Sequence, residues 1–153
     1  MTITKLKFMK KLIIISLILI CNNLYAQNNS SPEEFYAYFA KVFNEEKIDE
    51  VQKCFHFPYS AFVNGQITYL DNPSIPTVDY DALKKTGWAF TRVNKVTNVA
   101  EGKNTAVLVI DFSRMNKNNQ EFIRLKNIYT LTKEKGYWQI INLSNVKSIN
   151  EDK

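Results

Sequence analysis

The chain of 153 residues has one histidine, two cysteines, four glycines and four prolines. Each scarcity excludes something. One histidine, and no Cys, Asp or Glu cluster at ligand spacing, leaves no sequence signature of a metal centre. Four scattered glycines supply no phosphate-cradling loop, so no nucleotide cofactor motif is read. No serine sits in a nucleophile elbow. Long apolar runs are also scarce. The one present, LIIISLILIC from Leu12 to Cys21, is ten residues, half of the roughly 20 that a spanning helix needs.

That run follows Lys5, Lys7, Lys10 and Lys11 and precedes a polar stretch with Ala26. Residues 1–26 thus read as a secretory signal peptide, and the protein as exported, periplasmic or secreted, without a stable membrane anchor after cleavage. Ile20 is larger than a lipid-attachment site before Cys21 would want. Removing the segment takes four lysines and no acids, so 20 basic against 15 acidic residues becomes 16 against 15. The basic pI belongs mostly to the leader, and no basic patch remains to point to nucleic acid. Of the two cysteines Cys54 remains, which leaves no internal disulfide and reads as a small buried hydrophobe.

Residues 27–30 are a polar leader, and 31–153 read as one domain. Ser31-Pro32-Glu33-Glu34 is a helix start with a capping box. Phe35, Phe39, Val42 and Phe43 continue it as an amphipathic helix to about Asn44. A second short helix is predicted over 47–55. Pro58 ends helical geometry, and residues 57–63 and 66–70 form a hairpin about Asn64-Gly65. Asp79 caps a third short helix over 80–86, closed by Gly87. Four long strands follow, over 88–100, 104–115, 120–133 and 137–146, joined by short polar connections as in an antiparallel meander. Helices first and strands after give an α+β domain with helices on one sheet face. Strong strand twist would curl the sheet around them and leave a cone-shaped space.

The stretches FHFPY, WAFTRVNKV, VIDFSRMN and YTLTKEKGYWQI, in this layout, resemble the nuclear-transport-factor-2-like superfamily, also described as SnoaL-like or ketosteroid-isomerase-like. Within it, they resemble small exported bacterial members of unsettled activity. The likeness covers roughly residues 31–145 and implies a curved antiparallel sheet wrapped around N-terminal helices, the cystatin-like cone. The superfamily holds isomerases, dehydratases, epoxide hydrolases, transport adaptors and non-catalytic subunits, so fold alone chooses no activity.

The resemblance implies a site within the cone. A ketosteroid-isomerase-like site needs a carboxylate base and oxyanion donors. Asp111 is the candidate base, sharing strand parity with Val107 and Val109, where apolar burial would raise its pKa. Tyr36 or Tyr38 of the first helix would donate. The competing reading pairs Asp111 with Arg92 or turns it to solvent. An epoxide-hydrolase-like Arg-x-Asp step is broken here, because Arg92-Val93 is followed by Asn94. A dehydratase-like site has only His56, which reads more simply as a packed or capping residue where the chain enters the sheet. Cys54 and His56, two apart, would share a strand face, but the segment reads as a helix end.

The aromatics speak more for binding. Eighteen lie beyond residue 26. Trp88, Phe90, Tyr129 and Trp138, with Arg92, Asn127 and His56, are candidate ligand-lining residues of an apolar pocket with polar points. The expected function is binding of a small apolar or amphipathic molecule. The alternatives are an isomerase- or hydrolase-like enzyme using Asp111, or a non-catalytic interaction domain that uses its sheet face to form a homodimer or hold a partner.

Overall fold

The computed structural model describes residues 31–146, so the signal-peptide and leader readings lie outside the described residues. Helix α1, Pro32–Asn44, starts as the sequence predicts. The Ser31 hydroxyl accepts from the Glu34 N–H at 3.1 Å, and the Glu34 carboxylate accepts from the Ser31 N–H at 3.0 Å. Its buried stripe is Phe35, Tyr36, Phe39, Val42 and Phe43. Helix α2 is Ile48–Lys53, two residues shorter at its end than the spacing predicts. Phe55 instead opens strand β1, Phe55–Val63, because the Ile140 N–H ties the Cys54 carbonyl at 2.8 Å and Phe55 packs on Phe39 and Tyr59.

Strand β2, Gln66–Leu70, follows a turn in which Asn64 (φ 52°) and Gly65 (φ 78°) both take positive φ, the type-I′ requirement. Helix α3, Tyr80–Lys85, is capped by Asp79 through the Ala82 N–H at 2.9 Å. Then come β3 Phe90–Glu101, β4 Thr105–Met115, β5 Glu121–Thr132 and β6 Gln139–Val146. Trp88 precedes β3 rather than opening it.

The six strands form one curved sheet in the order β2-β1-β6-β5-β4-β3. All neighbours are antiparallel except β1 and β6, which run parallel, with Ser60 opposite Asn142 and Phe62 opposite Ser144. The parallel pair joins the hairpin to the meander and gives a cystatin-like α+β architecture. On β4, Ala106, Leu108, Ile110 and Phe112 are buried in one core with the α1 stripe. Alternation sends Val107, Val109 and Asp111 to the opposite face. Leu108, Ile110, Leu131 and Ile140 have no exposed surface. Each such side chain contributes about 1.5–3 kcal/mol over its exposed state.

Candidate functional site

One end of the core does not close. Tyr36, Phe39, Ala40 and Phe43 of α1, spaced three and four apart on one helix face, meet Thr91 of β3, Phe112 and Arg114 of β4, and Tyr129 of β5 around a small cavity. Its volume is about 30 Å³, room for roughly two waters. Next to it, Phe39, Phe43, Phe55 and Tyr59 pack ring on ring. Ala40, Thr91 and Arg114 are only partly buried, which places the approach from solvent on their side.

Two phenols form one wall. The Tyr36 and Tyr129 rings meet edge to face at 5.2 Å. Asn127 Nδ2 donates to the Tyr129 oxygen at 3.4 Å, and Asn145 Nδ2 donates to Asn127 Oδ1 at 2.9 Å. Burial pushes both phenols up from their ordinary pKa, so each keeps its proton at neutral pH.

Arg114 forms the other wall. Its guanidinium carbon lies 5.2 Å from the Phe43 ring centre and 5.1 Å from that of Phe112, two cation–π contacts. Its Nη1 donates to Thr91 Oγ1, which also accepts from Trp88 Nε1 at 3.0 Å. Asn44, at the end of α1, clamps the Thr91 backbone on both sides: its Nδ2 donates to the Thr91 carbonyl and its Oδ1 accepts from the Thr91 N–H, each at 2.8 Å. Burial lowers the Arg114 pKa, but a guanidinium stays charged.

Of the residues singled out in the sequence, Tyr36 and Tyr129 are brought together here, with Asn127 against Tyr129. The others lie elsewhere. Tyr38 is on the outer side of α1, its hydroxyl donating to Glu50 Oε2 at 2.9 Å. Trp88 is buried against Phe43 and Tyr80, one step behind Thr91. Phe90 is partly buried opposite Met115. Trp138 is buried with Lys133 Nζ 5.4 Å from its ring centre. His56 Nε2 is 2.8 Å from Glu134 Oε2 in the β5–β6 turn. Cys54 is buried, and burial pushes its thiol up to about 12. Among the described residues no group of His, Cys, Asp and Glu could hold a metal ion.

Arg92 and Asp111 lie on the opposite face of the sheet and do not meet. Arg92 pairs with Glu121 at 3.0 Å. Asp111 accepts both Arg124 Nε at 2.9 Å and Nη2 at 3.0 Å, with Asn94 Nδ2 at 3.0 Å. The Arg124 hydrogen bonds hold its carboxyl below the ordinary range, the reverse of the direction expected from apolar burial. Because the folded pKa is depressed, the pair stabilises above the unfolded pKa of about 3.9, and that contribution is lost as pH falls through the folded value. Arg124 is solvent-exposed, so screening limits the effect. Asp111→Asn is expected to cost about 1 kcal/mol at pH 7, with the difference from wild type shrinking below pH ~4. Urea unfolding of both proteins across that range checks it.

The residue that sequence reasoning missed is Arg114. Its signal is parity: Ala106, Leu108, Ile110 and Phe112 alternate into the core, and Arg114 is the next position on that face.

The family model described as NTF2-like protein (DUF6841) matches residues 30–148. No protein among curated sequences matches the chain. Among solved structures, an NTF2-like protein with a cystatin-like fold from Novosphingobium aromaticivorans is 13% identical, with a TM-score of 0.57, over 92% of this chain and 90% of that one. A cystatin-like protein from Nostoc punctiforme is 10% identical with a TM-score of 0.59, over 77% and 89%. A candidate ketosteroid isomerase from Shewanella frigidimarina is 9% identical with a TM-score of 0.57, over 78% and 97%. At these identities the likeness is one of fold.

Proposed function

The chain belongs to the DUF6841 family of NTF2-like proteins, and from that premise we propose that it is a small-molecule-binding domain whose site is the cavity beneath α1. The observation that supports this is the make-up of the wall. It joins phenyl rings to two protonated phenols, a threonine and a guanidinium, the pattern of an apolar pocket with a few orienting polar groups. The candidate catalytic carboxylate, Asp111, is engaged by Arg124 on the other sheet face, so the reading routes no chemistry through it. The cavity size limits the enclosed part of a ligand to a few heavy atoms.

We also propose export, with cleavage after Ala26. Native mass spectrometry of the protein purified after processing by its own host tests both readings. The expected result is a chain beginning at Gln27 that carries a small molecule near unit occupancy. An uncleaved chain overturns export, and a cleaved but empty one, unaltered by a small-molecule screen, overturns the binding reading.

One observation favours a homodimer as a second reading. Phe62 and Ile67 face each other across the β1–β2 hairpin, with Tyr69 beside them, at 44%, 60% and 73% exposure. The strand registers put them on the same sheet face as Val107, Val109 and Ile128, an apolar surface that a second copy could cover. Sedimentation of wild type and an Ile67→Lys, Tyr69→Lys double variant distinguishes a dimer lost on substitution from a monomer throughout.

A further inference from the structure

Charged side chains are seldom withdrawn from water without a partner. The chain has three arginines. Arg92 pairs with Glu121 and Arg124 with Asp111, both on exposed surface. Arg114, the one turned to the core face, has no carboxylate partner among the described residues. Its polar partner there is the neutral Thr91 hydroxyl. A guanidinium has five N–H donors in a planar fork. Contacts with the Phe43 and Phe112 rings hold it in place, and the N–H groups not given to Thr91 remain for a ligand. None of its nitrogens is both unpartnered and sealed from water. Across the cavity, the Tyr129 oxygen accepts from Asn127 Nδ2 at 3.4 Å, and burial keeps both phenols protonated. Positive charge and protonated phenols therefore face one small space whose lining has no negative group.

Resting on the binding reading above, we propose that Arg114 is the anchor for a carboxylate, and that the cavity's ligands are small organic acids in their ionised form. The planar fork matches a planar two-oxygen acceptor. The flanking rings suit an apolar body, and a doubly charged tetrahedral anion would lack the further donors it needs. About 30 Å³ accepts the carboxylate head, and the rest of the acid extends toward Ala40 and Thr91.

The test is an NMR titration of the full processed protein with acetate, propionate and benzoate, each against its primary amide, and with inorganic phosphate. The Arg114 Nε–H resonance and the Tyr36 and Tyr129 ring signals are observed. The acids are expected to bind at least about tenfold more tightly than the amides, as loss of charge-assisted hydrogen bonding implies. The Arg114→Met variant is expected to abolish that preference while keeping amide affinity, and Arg114→Lys to retain part of it. Should Arg114→Met fail to fold, the wild-type acid–amide ratio and the Arg114 shift decide alone. Equal affinity for acid and amide overturns the anchor and leaves the cavity reading standing. Phosphate binding as tightly as the acids overturns the carboxylate assignment. No shift with any probe overturns the anchor, and the mass-spectrometric result then judges the cavity separately.

Discussion

Replacing Phe39 with alanine is expected to cost about 3–5 kcal/mol. The ring is buried at the meeting point of three elements. It contacts Tyr36 and Phe43 on its own helix at 5.7 and 5.8 Å, Phe55 of β1 at 5.8 Å and Tyr129 of β5 at 6.2 Å. Each ring contact adds to the area term. The hole left would merge with the cavity that Phe39 already borders, and four rigid neighbouring rings leave little scope for collapse. Domains of this size have about 5–15 kcal/mol in total, so the variant should lose at least about a fifth of its stability and melt roughly 10–20 °C lower. Phe122→Ala, at a ring 41% exposed, is the control and should stay within about 0.5 kcal/mol. Urea unfolding of the pair decides the matter. A Phe39 cost below about 1 kcal/mol would mean that the helix is not seated on the sheet as described.

Elements with strong local signals were legible in the sequence. The Ser31–Glu34 capping box, the Asn64-Gly65 turn and the α1 stripe depend on residues a few positions apart, and the structure places them as their chemistry predicts. What depends on which strands become neighbours was not legible. The parallel β1–β6 pair joins segments about 80 residues apart, and nothing near Ser60 or Asn142 announces it. The same limit explains the site. Residues 106–110 of β4 are all apolar, so the run could face the core by its odd or its even members. Grouping Asp111 with Val107 and Val109 was right in parity, but that set faces away from the helices. Its partner Arg124 is set by the β4–β5 register, which pairs Asp111 directly with Lys126. Once the even face is known to be the core, Arg114 follows from counting by two.

The site and the opposite face solve the same electrostatic problem differently. On the exposed face, Ser113, Asn94, Arg92 and Glu121 form one network in which the Glu121 carboxylate accepts from both Ser113 and Arg92. Every arginine there has its acid. On the core face Arg114 is steadied by ring faces and by a threonine that Asn44 and Trp88 hold in place. Ring quadrupoles make a half-buried cation tolerable without neutralising it, so the net positive charge remains available to an arriving anion.

The second large effect is expected at Gln139, a buried amide at the start of β6. Its Nε2 donates to the Lys53 carbonyl at 3.1 Å and the Phe55 carbonyl at 3.0 Å, while the Ile140 N–H takes the Cys54 carbonyl between them. Three successive carbonyls, where α2 gives way to β1, are thus satisfied from one point on β6. Gln139→Ala removes two of these bonds, leaves the buried Phe55 carbonyl without this donor and leaves a void, for about 3 kcal/mol. Gln139→Met keeps the volume and removes Oε1, a buried atom with no partner, so it should cost less, about 1–2 kcal/mol. Gln139→Glu should be the worst at pH 7, because a carboxylate would face carbonyl oxygens. Burial would raise its folded pKa above the unfolded ~4.3. The variant's deficit should therefore be small below pH ~4 and grow as pH rises toward 7. Urea unfolding of the four proteins at pH 4 and 7, read as differences from wild type, separates these terms. A pH-independent deficit for Gln139→Glu would mean that the side chain escapes to solvent, and an alanine cost under about 1 kcal/mol would mean that water replaces the amide at the α2–β1 junction.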